Sequence, residues 1–200
     1  MVLKDVRAKV EQTWTTTKKL LAMMSVWGLF FSLVTIARLG VAFAYDDTLV
    51  DSSAAFAKAS NASQPGQSLN YWKVINQSYD LESPKILPYA VAGLARAFGF
   101  RVMILAERQA TGGDALKKEW RHLAPRGFTF VPDPENLHLL LQDGRYVLYL
   151  GSTDRELLEA KKAGVYAVRV QRGRNAVLGG EYNPGRMGEV VIPLSGFALK

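Results

Sequence analysis

The sequence contains no cysteine. Disulfides, thiolate nucleophiles and cysteine-type zinc sites are excluded together, while the compartment stays open, because such a chain is neutral to redox conditions. Histidine is scarce, with only His122 and His138. The first lies in a charged segment and reads as a surface residue; the second lies in an apolar run and reads as a packed side chain. Two histidines so placed do not make a metal site. Neither a P-loop nor a dinucleotide-binding glycine fingerprint occurs. The net charge is +7, but no run interleaves basic residues with exposed aromatics as a single-strand binder would. The positive residues (Lys4, Arg7, Lys9, Lys18 and Lys19, then Lys117, Lys118, Arg121, Lys161, Lys162, Arg169, Arg172 and Arg174) are scattered and read as solvated surface. No nucleic-acid partner is expected. What is present is ordinary for a globular chain: 200 residues, 48% apolar and 22% charged, enough for one domain with a proper core.

Residues 1–19 are polar and basic. Between Lys19 and Arg38 the sequence is uncharged, LLAMMSVWGLFFSLVTIA, just long enough to span a membrane. Three readings stand. Lys18 and Lys19 would hold the N-terminal side of a signal anchor in the cytoplasm, placing the rest in the periplasm beyond an inner membrane. A cleaved signal peptide has a small-residue site at Ala42-Phe43-Ala44, but cutting there removes the first strand. A buried or oligomerising helix of a soluble domain fits Ser25, Gly28, Ser32 and Thr35. The anchor, spanning residues 20–37, is the reading preferred here, and it divides the chain into a segment 1–38 and a domain 39–200.

From Gly40 onward, strand and helix patterns alternate. GVAFAYD reads as a buried strand, and the polar, turn-rich stretch after it as an insertion. Residues 83–99 read as a helix with a serine N-cap and a terminal glycine. FRVMILA, FTFVP, RYVLYLG and YAVRVQ read as further strands, with amphipathic helices over 113–127 and 153–164 and a last strand at EVVIP. The expected fold is α/β, a doubly wound (Rossmannoid) parallel sheet with a small cap insertion after strand 1 and an N-terminal apolar helix. Ligand crevices in such sheets lie at the carboxyl ends of strands, which directs attention to residues 44–48, 106–108, 132–135 and 151–156.

The first of these ends reads Phe43-Ala44-Tyr45-Asp46-Asp47-Thr48. It resembles the Asp-x-Asp-x-Thr signature of phosphatases of the haloacid dehalogenase (HAD) type. Over most of its length the chain is similar to their class B acid phosphatases. SVWGLFFSL with GVAFAYDDTLVDSSAAF, then NYWKVINQSYDLESPK, RVMILAER, YLGSTDREL with AKKAGVYAVRVQR, and PGRMGEVVIP follow that family's order. The resemblance implies a HAD-like fold, a nucleophilic aspartate at position 44, a general acid–base at 46, a phosphate-binding hydroxyl before Arg108, a lysine before the fourth strand's end, and a magnesium-binding aspartate after that strand.

The sequence departs from each. Ala44 replaces the nucleophile; Ala106-Glu107-Arg108 lacks the hydroxyl and brings a carboxylate that would repel phosphate; Leu137 and His138 stand nearest the missing lysine; and Ser152 replaces the magnesium ligand. Asp46, Asp47, Thr48 and Asp154 keep their types, and each also has a structural reading: Asp46 and Asp47 capping a loop, Thr48 bonding a turn, Asp154 capping a helix. The expectation is therefore a non-enzyme, a pseudophosphatase with no catalytic, cofactor-binding or metal residues. It would have a structural or interaction role among protein partners of a hetero-oligomeric bacterial envelope assembly, with a homo-oligomer also open. Two alternatives stand beside it. In one, the remnant pocket binds a nucleotide or anion through Arg108, Tyr45 and Trp72; in the other, Asp46, Asp47 or Asp154 supports residual acid phosphatase activity.

Overall fold

The computed structural model describes residues 2–62 and 69–199, with side chains described for 11–62 and 70–199. Lys4, Arg7 and Lys9, which the sequence assigns to solvated surface, and residues 63–68 of the insertion fall outside that description. The chain forms two compact units, Met1–Ala37 and Arg38–Lys200.

The first unit is one helix, α1 (Val2–Ala37). Its portion Glu11–Ala37, with mean hydropathy 2.1, is long and apolar enough to cross a membrane, a property it shares with signal sequences. The side chains of Leu20, Val26, Leu29 and Ile36 are exposed. Ser25, Ser32 and Thr35 donate their hydroxyls to carbonyls four residues earlier, so these polar groups bring no unsatisfied donor into an apolar surrounding.

The second unit is built on six parallel strands: β1 (Gly40–Ala44), β4 (Arg101–Ala106), β5 (Phe128–Phe130), β6 (Tyr146–Gly151), β7 (Tyr166–Val170) and β8 (Val190–Ile192), in the order β5-β4-β1-β6-β7-β8. Strand β1 is buried throughout, as its unbroken apolar run requires. Alternate residues serve two cores. Val41, Phe43 and Tyr45 pack with Ile104, Leu116 and Trp120, whereas Ala42 and Ala44 pack with Leu105, Leu141, Tyr149 and Leu157. Gly127, entering β5, has no room for a side chain, because a Cβ would lie 2.1 Å from the Val102 carbonyl oxygen.

From β1 the chain moves out to β4 and β5, then returns to β6 on the other side of β1 and continues to β7 and β8. The order therefore reverses between β1 and β6, which is where such sheets place their crevice. Helices α4 (Ile86–Ala97), α5 (Asp114–Glu119), α6 (Leu137–Asp143) and α7 (Asp154–Lys162) connect the strands. The doubly wound α/β fold is as the sequence predicts.

Several local features differ. The insertion after β1 is helical: α2 (Ser53–Ala62) and α3 (Leu69–Gln77) pack through Ala59, Tyr71 and Ile75, beside the small ribbon β2 (Val50–Asp51) with β3 (Ser83–Pro84). Its scattered aromatics are the core of this cap, and so periodicity was hard to see among polar residues. Ser83 does not cap α4, because it is paired with Asp51 in the ribbon; the position before Ile86 is Lys85. The helix expected over 113–127 shortens to α5 and a 3-10 turn at Trp120–His122. Lys18, Lys19, Lys118, Arg121, Lys161, Lys162 and Arg174 are exposed, with Lys117 and Arg172 half-buried. Arg169, read as solvated, is buried, because Glu189 and Asp154 meet its guanidinium at the end of β7.

Candidate functional site

The carboxyl ends of β1, β4 and β6 bring together the residues of three expected motifs. Register pairs Ala44 with Leu105 and Phe43 with Leu150, so Tyr45-Asp46, Ala106-Glu107-Arg108 and Gly151-Ser152 emerge side by side. Ala44 is buried at the tip of β1 and presents only a methyl group. Any phosphoryl transfer in this chain has to proceed to another group, since a methyl carbon carries no nucleophilic lone pair.

Arg108 is central to what stands there. Its guanidinium is fully buried and donates from Nε to Asp46 Oδ2 at 2.9 Å and from Nη2 to Asp46 Oδ1 at 2.5 Å. The same Nη2 reaches Glu82 Oε1 at 2.5 Å and Ser52 Oγ at 3.2 Å, and Nη1 reaches Asn76 Oδ1 at 3.4 Å. Asn76 is fixed in turn by donating to the carbonyls of Gln109 and Thr111. Tyr45 and Phe56 face the guanidinium at 5.0 and 5.4 Å. Burial works against the charged arginine, but Asp46 and Glu82 outweigh it and raise its pKa further. Burial pushes the Glu82 carboxyl up to about 7, against the pull of Arg108.

The expected roles of these residues change accordingly. Asp46 is an ion-pair partner and not a loop cap. Arg108 is saturated by protein groups and does not face an incoming anion. Tyr45 is buried, donating to Glu82 and accepting from Trp120 Nε1, so it offers no face for a base. Trp72 is half-buried and packs edge-on against Phe56 and Tyr71 in the cap. The nucleotide pocket built on Arg108, Tyr45 and Trp72 is not formed by these side chains.

Asp47 turns away from the strand ends. Its backbone is left-handed, at φ 55°, and its Oδ2 accepts from the amides of Val177 and Leu178 at 2.8 and 2.7 Å. Burial raises its carboxyl to about 6. The Asp47 carbonyl accepts from the buried ammonium of Lys85, at 2.5 Å, which also donates to Gln171 O at 2.9 Å. Burial lowers Lys85 to about 8. Thr48 bonds nothing in its turn; its hydroxyl is buried without a partner.

On β6 and α7, Thr153 and not Asp154 is the helix cap. Thr153 Oγ1 accepts from Glu156 N at 3.1 Å, and Glu156 Oε2 accepts from the amides of Thr153 and Ser152 at 2.8 Å each. Asp154 instead meets Arg169 at 2.8 Å and accepts from Asn183 N and Nδ2 at 2.9 and 2.8 Å; burial opposes and these donors outweigh it, lowering its pKa. Ser152 is buried with its hydroxyl unpartnered. Glu107 accepts at Oε2 from Arg155 at 2.6 Å, and its Oε1 is buried without a partner. Burial, then the Glu156 charge, raises Glu107 to about 8. At the third motif Leu137 is buried, while His138 is partly exposed and bonded to Glu159 Oε2 at 2.7 Å, not packed in the core. His122 is exposed beside Tyr89.

No local sequence pattern marks Glu82, Asn76 and Ser52, which hold Arg108, nor Lys85. All four lie in the cap or at its edges, and only the folded insertion brings them over the strand ends. Among the described residues no group of three or more histidine, aspartate or glutamate side chains is arranged to hold a metal.

The fold is HAD-like. The chain superposes on CbbY from Rhodobacter sphaeroides, solved with phosphate, over 78% of its own length and 93% of that chain, with a TM-score of 0.54 and 13% identity. It superposes equally on a predicted phosphoglycolate phosphatase from Haemophilus somnus, over 78% and 94%, with a TM-score of 0.55 and 12% identity. In sequence it is similar to a class B acid phosphatase of Haemophilus parainfluenzae, 24% identical over 192 residues, covering 88% of this chain and 82% of that one. No family model matches. The chain is thus phosphatase-like, and the expectation of a non-enzyme is corrected: the proteins it is similar to carry the names of phosphatases.

Proposed function

We propose that this chain is a phosphatase-like protein of the bacterial cell envelope, in which α1 anchors a periplasmic domain that takes part in a multiprotein assembly. The observation that carries this reading is the helix itself, whose stretch Glu11–Ala37 is long and apolar enough to span a bilayer. Lys18 and Lys19 precede the uncharged residues, which favours a cytoplasmic N-terminal side. The interaction role draws support from the site: Arg108 is committed to Asp46 and Glu82, so this part of the fold works as a rigid polar block. The test is membrane fractionation in the native host followed by mild-detergent purification of the tagged chain. Stoichiometric protein partners from the membrane fraction are expected; a soluble chain without partners would overturn the reading.

A second reading is acid phosphatase activity, favoured by the name of the Haemophilus parainfluenzae relative. Asp46 keeps the acid–base position, while Asp47 and Asp154 are engaged elsewhere, by the Val177 and Leu178 amides and by Arg169 and Asn183. Magnesium-dependent phosphate release that Asp46→Asn abolishes would support it. Release that Asp46→Asn leaves unchanged would assign the activity to another protein in the preparation.

A further inference from the structure

A parallel sheet delivers its strand entries to one rim, and in this domain that rim is basic. The connections leading into β1, β4, β5, β6 and β7 (residues 38–39, 98–100, 123–127, 144–145 and 163–165) contain Arg38, Arg126 and Arg145 and no carboxylate. Arg96 in the last turn of α4 and Arg101 at the start of β4 join them. All of these arginines are exposed, and none has a carboxylate partner among the described residues. Carboxylates collect at the opposite rim instead, where Asp46, Glu107, Asp154 and Glu156 follow β1, β4 and β6.

Two of these arginines sit where the backbone favours a residue without a side chain. Arg38 and Arg145 are left-handed, each at φ 53°, a conformation that costs any residue with a Cβ and suits glycine. Backbone bonds hold them beside the central strand. Gly40 N donates to Arg145 O at 3.2 Å, and Arg101 N donates to Leu39 O at 2.9 Å. The Arg101 guanidinium donates from Nε to Arg38 O at 3.0 Å and from Nη2 to Gly144 O, so Arg38, Arg101 and Arg145 surround the entry of β1. Aromatic and apolar groups flank the charges. Tyr146 lies 5.8 Å from the Arg101 guanidinium. Tyr166, at the start of β7, is 59% exposed, and Leu94 and Phe98, one turn apart at the end of α4, are exposed as well.

We infer that this rim docks on the anionic phospholipid headgroups of the bilayer that α1 enters; the inference rests on the reading of α1 as an anchor. Only Arg38 and Leu39 separate Ala37 from Gly40, and two residues reach at most about 7 Å. A chain that leaves a bilayer after α1 therefore enters the sheet at its basic rim. Basic residues beside a span are drawn to an anionic surface, and guanidinium groups take phosphate oxygens two at a time. Tyrosine suits the headgroup level, with its ring in the apolar layer and its hydroxyl in water. The opposite rim stands roughly 16 Å away across the five residues of β1, at about 3.3 Å per residue. Its carboxylates are kept from the same surface by charge, and its crevice faces away from the membrane.

The experiment reconstitutes the full chain in vesicles that carry a nitroxide quencher on some headgroups. Because the chain has no cysteine, a fluorophore can be placed at Gln142→Cys, exposed at the end of α6 on the basic rim, or at Asn175→Cys, exposed beyond the opposite rim. With one quarter phosphatidylglycerol in phosphatidylcholine, the label at position 142 should be quenched about twice as strongly as in phosphatidylcholine alone, and high salt should remove the difference. The label at position 175 should respond to neither change. Arg38→Gly with Arg145→Gly should abolish the difference, at about fivefold in the ratio of docked to undocked domain per arginine. Glycine suits both backbones, so this variant keeps its fold, checked by circular dichroism. Equal quenching in the two kinds of vesicle, or a folded double variant that is quenched like the parent, would overturn the docking. Flotation in carbonate separates this from the anchor. A chain stripped from phosphatidylcholine vesicles rejects the anchor and the docking with it; a chain retained there but indifferent to phosphatidylglycerol rejects the docking alone.

Discussion

The guanidinium of Arg108 and the carboxylate of Asp46 form a two-point ion pair with no exposed surface on either residue's charged end, 2.5 and 2.9 Å across its two hydrogen bonds. Glu82, Ser52 and Asn76 complete the shell, so Arg108 joins cap and sheet at the centre of this network. Removing the cation strands two carboxyls in a low-dielectric interior, and breaking a buried pair on one side costs about 3–5 kcal/mol. Arg108→Met should therefore destabilise the domain by about that amount in urea denaturation. Adding Asp46→Asn to it should recover part of the loss, because the uncompensated charge goes with the aspartate; a double variant no better than the single one would show that the pair is not coupled.

How much of this could be read from the sequence follows from where each contact is made. The sheet was legible because β1, β4, β6 and β7 are unbroken apolar runs at regular spacing. The strand-end residues Asp46, Arg108 and Ser152 were legible as a group, because parallel strands deliver their ends to one rim. Their roles were not. Asp46 reads as a loop cap until Arg108 is seen to reach it across 62 positions, and Glu82 has no local pattern at all. Thr153 lost its place to Asp154 in the sequence reading because both suit a helix start; only the reciprocal bonds with Glu156 decide between them.

Four buried groups make stability depend on pH. Burial raises Glu82 from 4.5 to about 7, Asp47 from 3.8 to about 6, and Glu107 from 4.5 to about 8. Between the unfolded and folded values the folded chain binds protons that the unfolded chain has released, so the contribution of these three carboxyls is full below about pH 3.8 and falls as pH rises towards 8. Lys85 acts over the next interval: burial lowers it from 10.5 to about 8, so there the unfolded chain holds the extra proton and stability rises again with pH. The midpoint of urea unfolding should pass through a minimum near pH 8. Glu82→Gln should flatten the slope between pH 4.5 and 7 in particular; an unchanged slope would remove Glu82 from the account.

Thr153 closes the capping box of α7, accepting from Glu156 N while Glu156 accepts from the Thr153 amide. Loss of such a cap costs about 1 kcal/mol. Thr153→Ala should lower stability by roughly that, and Thr153→Ser should restore most of it. Equal stability of the alanine variant would mean that Glu156 alone holds the first turn.

Gly127 lies where the chain enters β5, and any Cβ there would come within 2.1 Å of the Val102 carbonyl oxygen. The obstacle is the backbone of Val102 and Met103, so no rotamer change relieves it. Gly127→Ala should cost about 1–3 kcal/mol, as overpacking in a core does, measured by thermal unfolding. Gly179 makes a useful contrast, having nothing within 4 Å of a built Cβ; alanine there should change stability by less than about 0.5 kcal/mol.

The domain carries its own two-sided core, from Val41 to Val170, without drawing on residues before Arg38. A chain beginning at residue 39 should therefore fold, with cooperative urea unfolding and the pH minimum of the full chain. Its distribution should differ: if α1 anchors the domain, the full chain pellets with membranes and resists carbonate extraction, while the shortened chain stays in the supernatant. The charge on the N-terminal side supplies a second arm. Replacing Lys18 and Lys19 by glutamine, with three lysines inserted after Ile36, should invert the orientation, because basic residues flanking a span are retained in the cytoplasm. Protease protection of the domain in spheroplasts reads that inversion. A full chain that leaves the membrane in carbonate would reject the anchor and return Ser25, Gly28, Ser32 and Thr35 to a helix that associates in water.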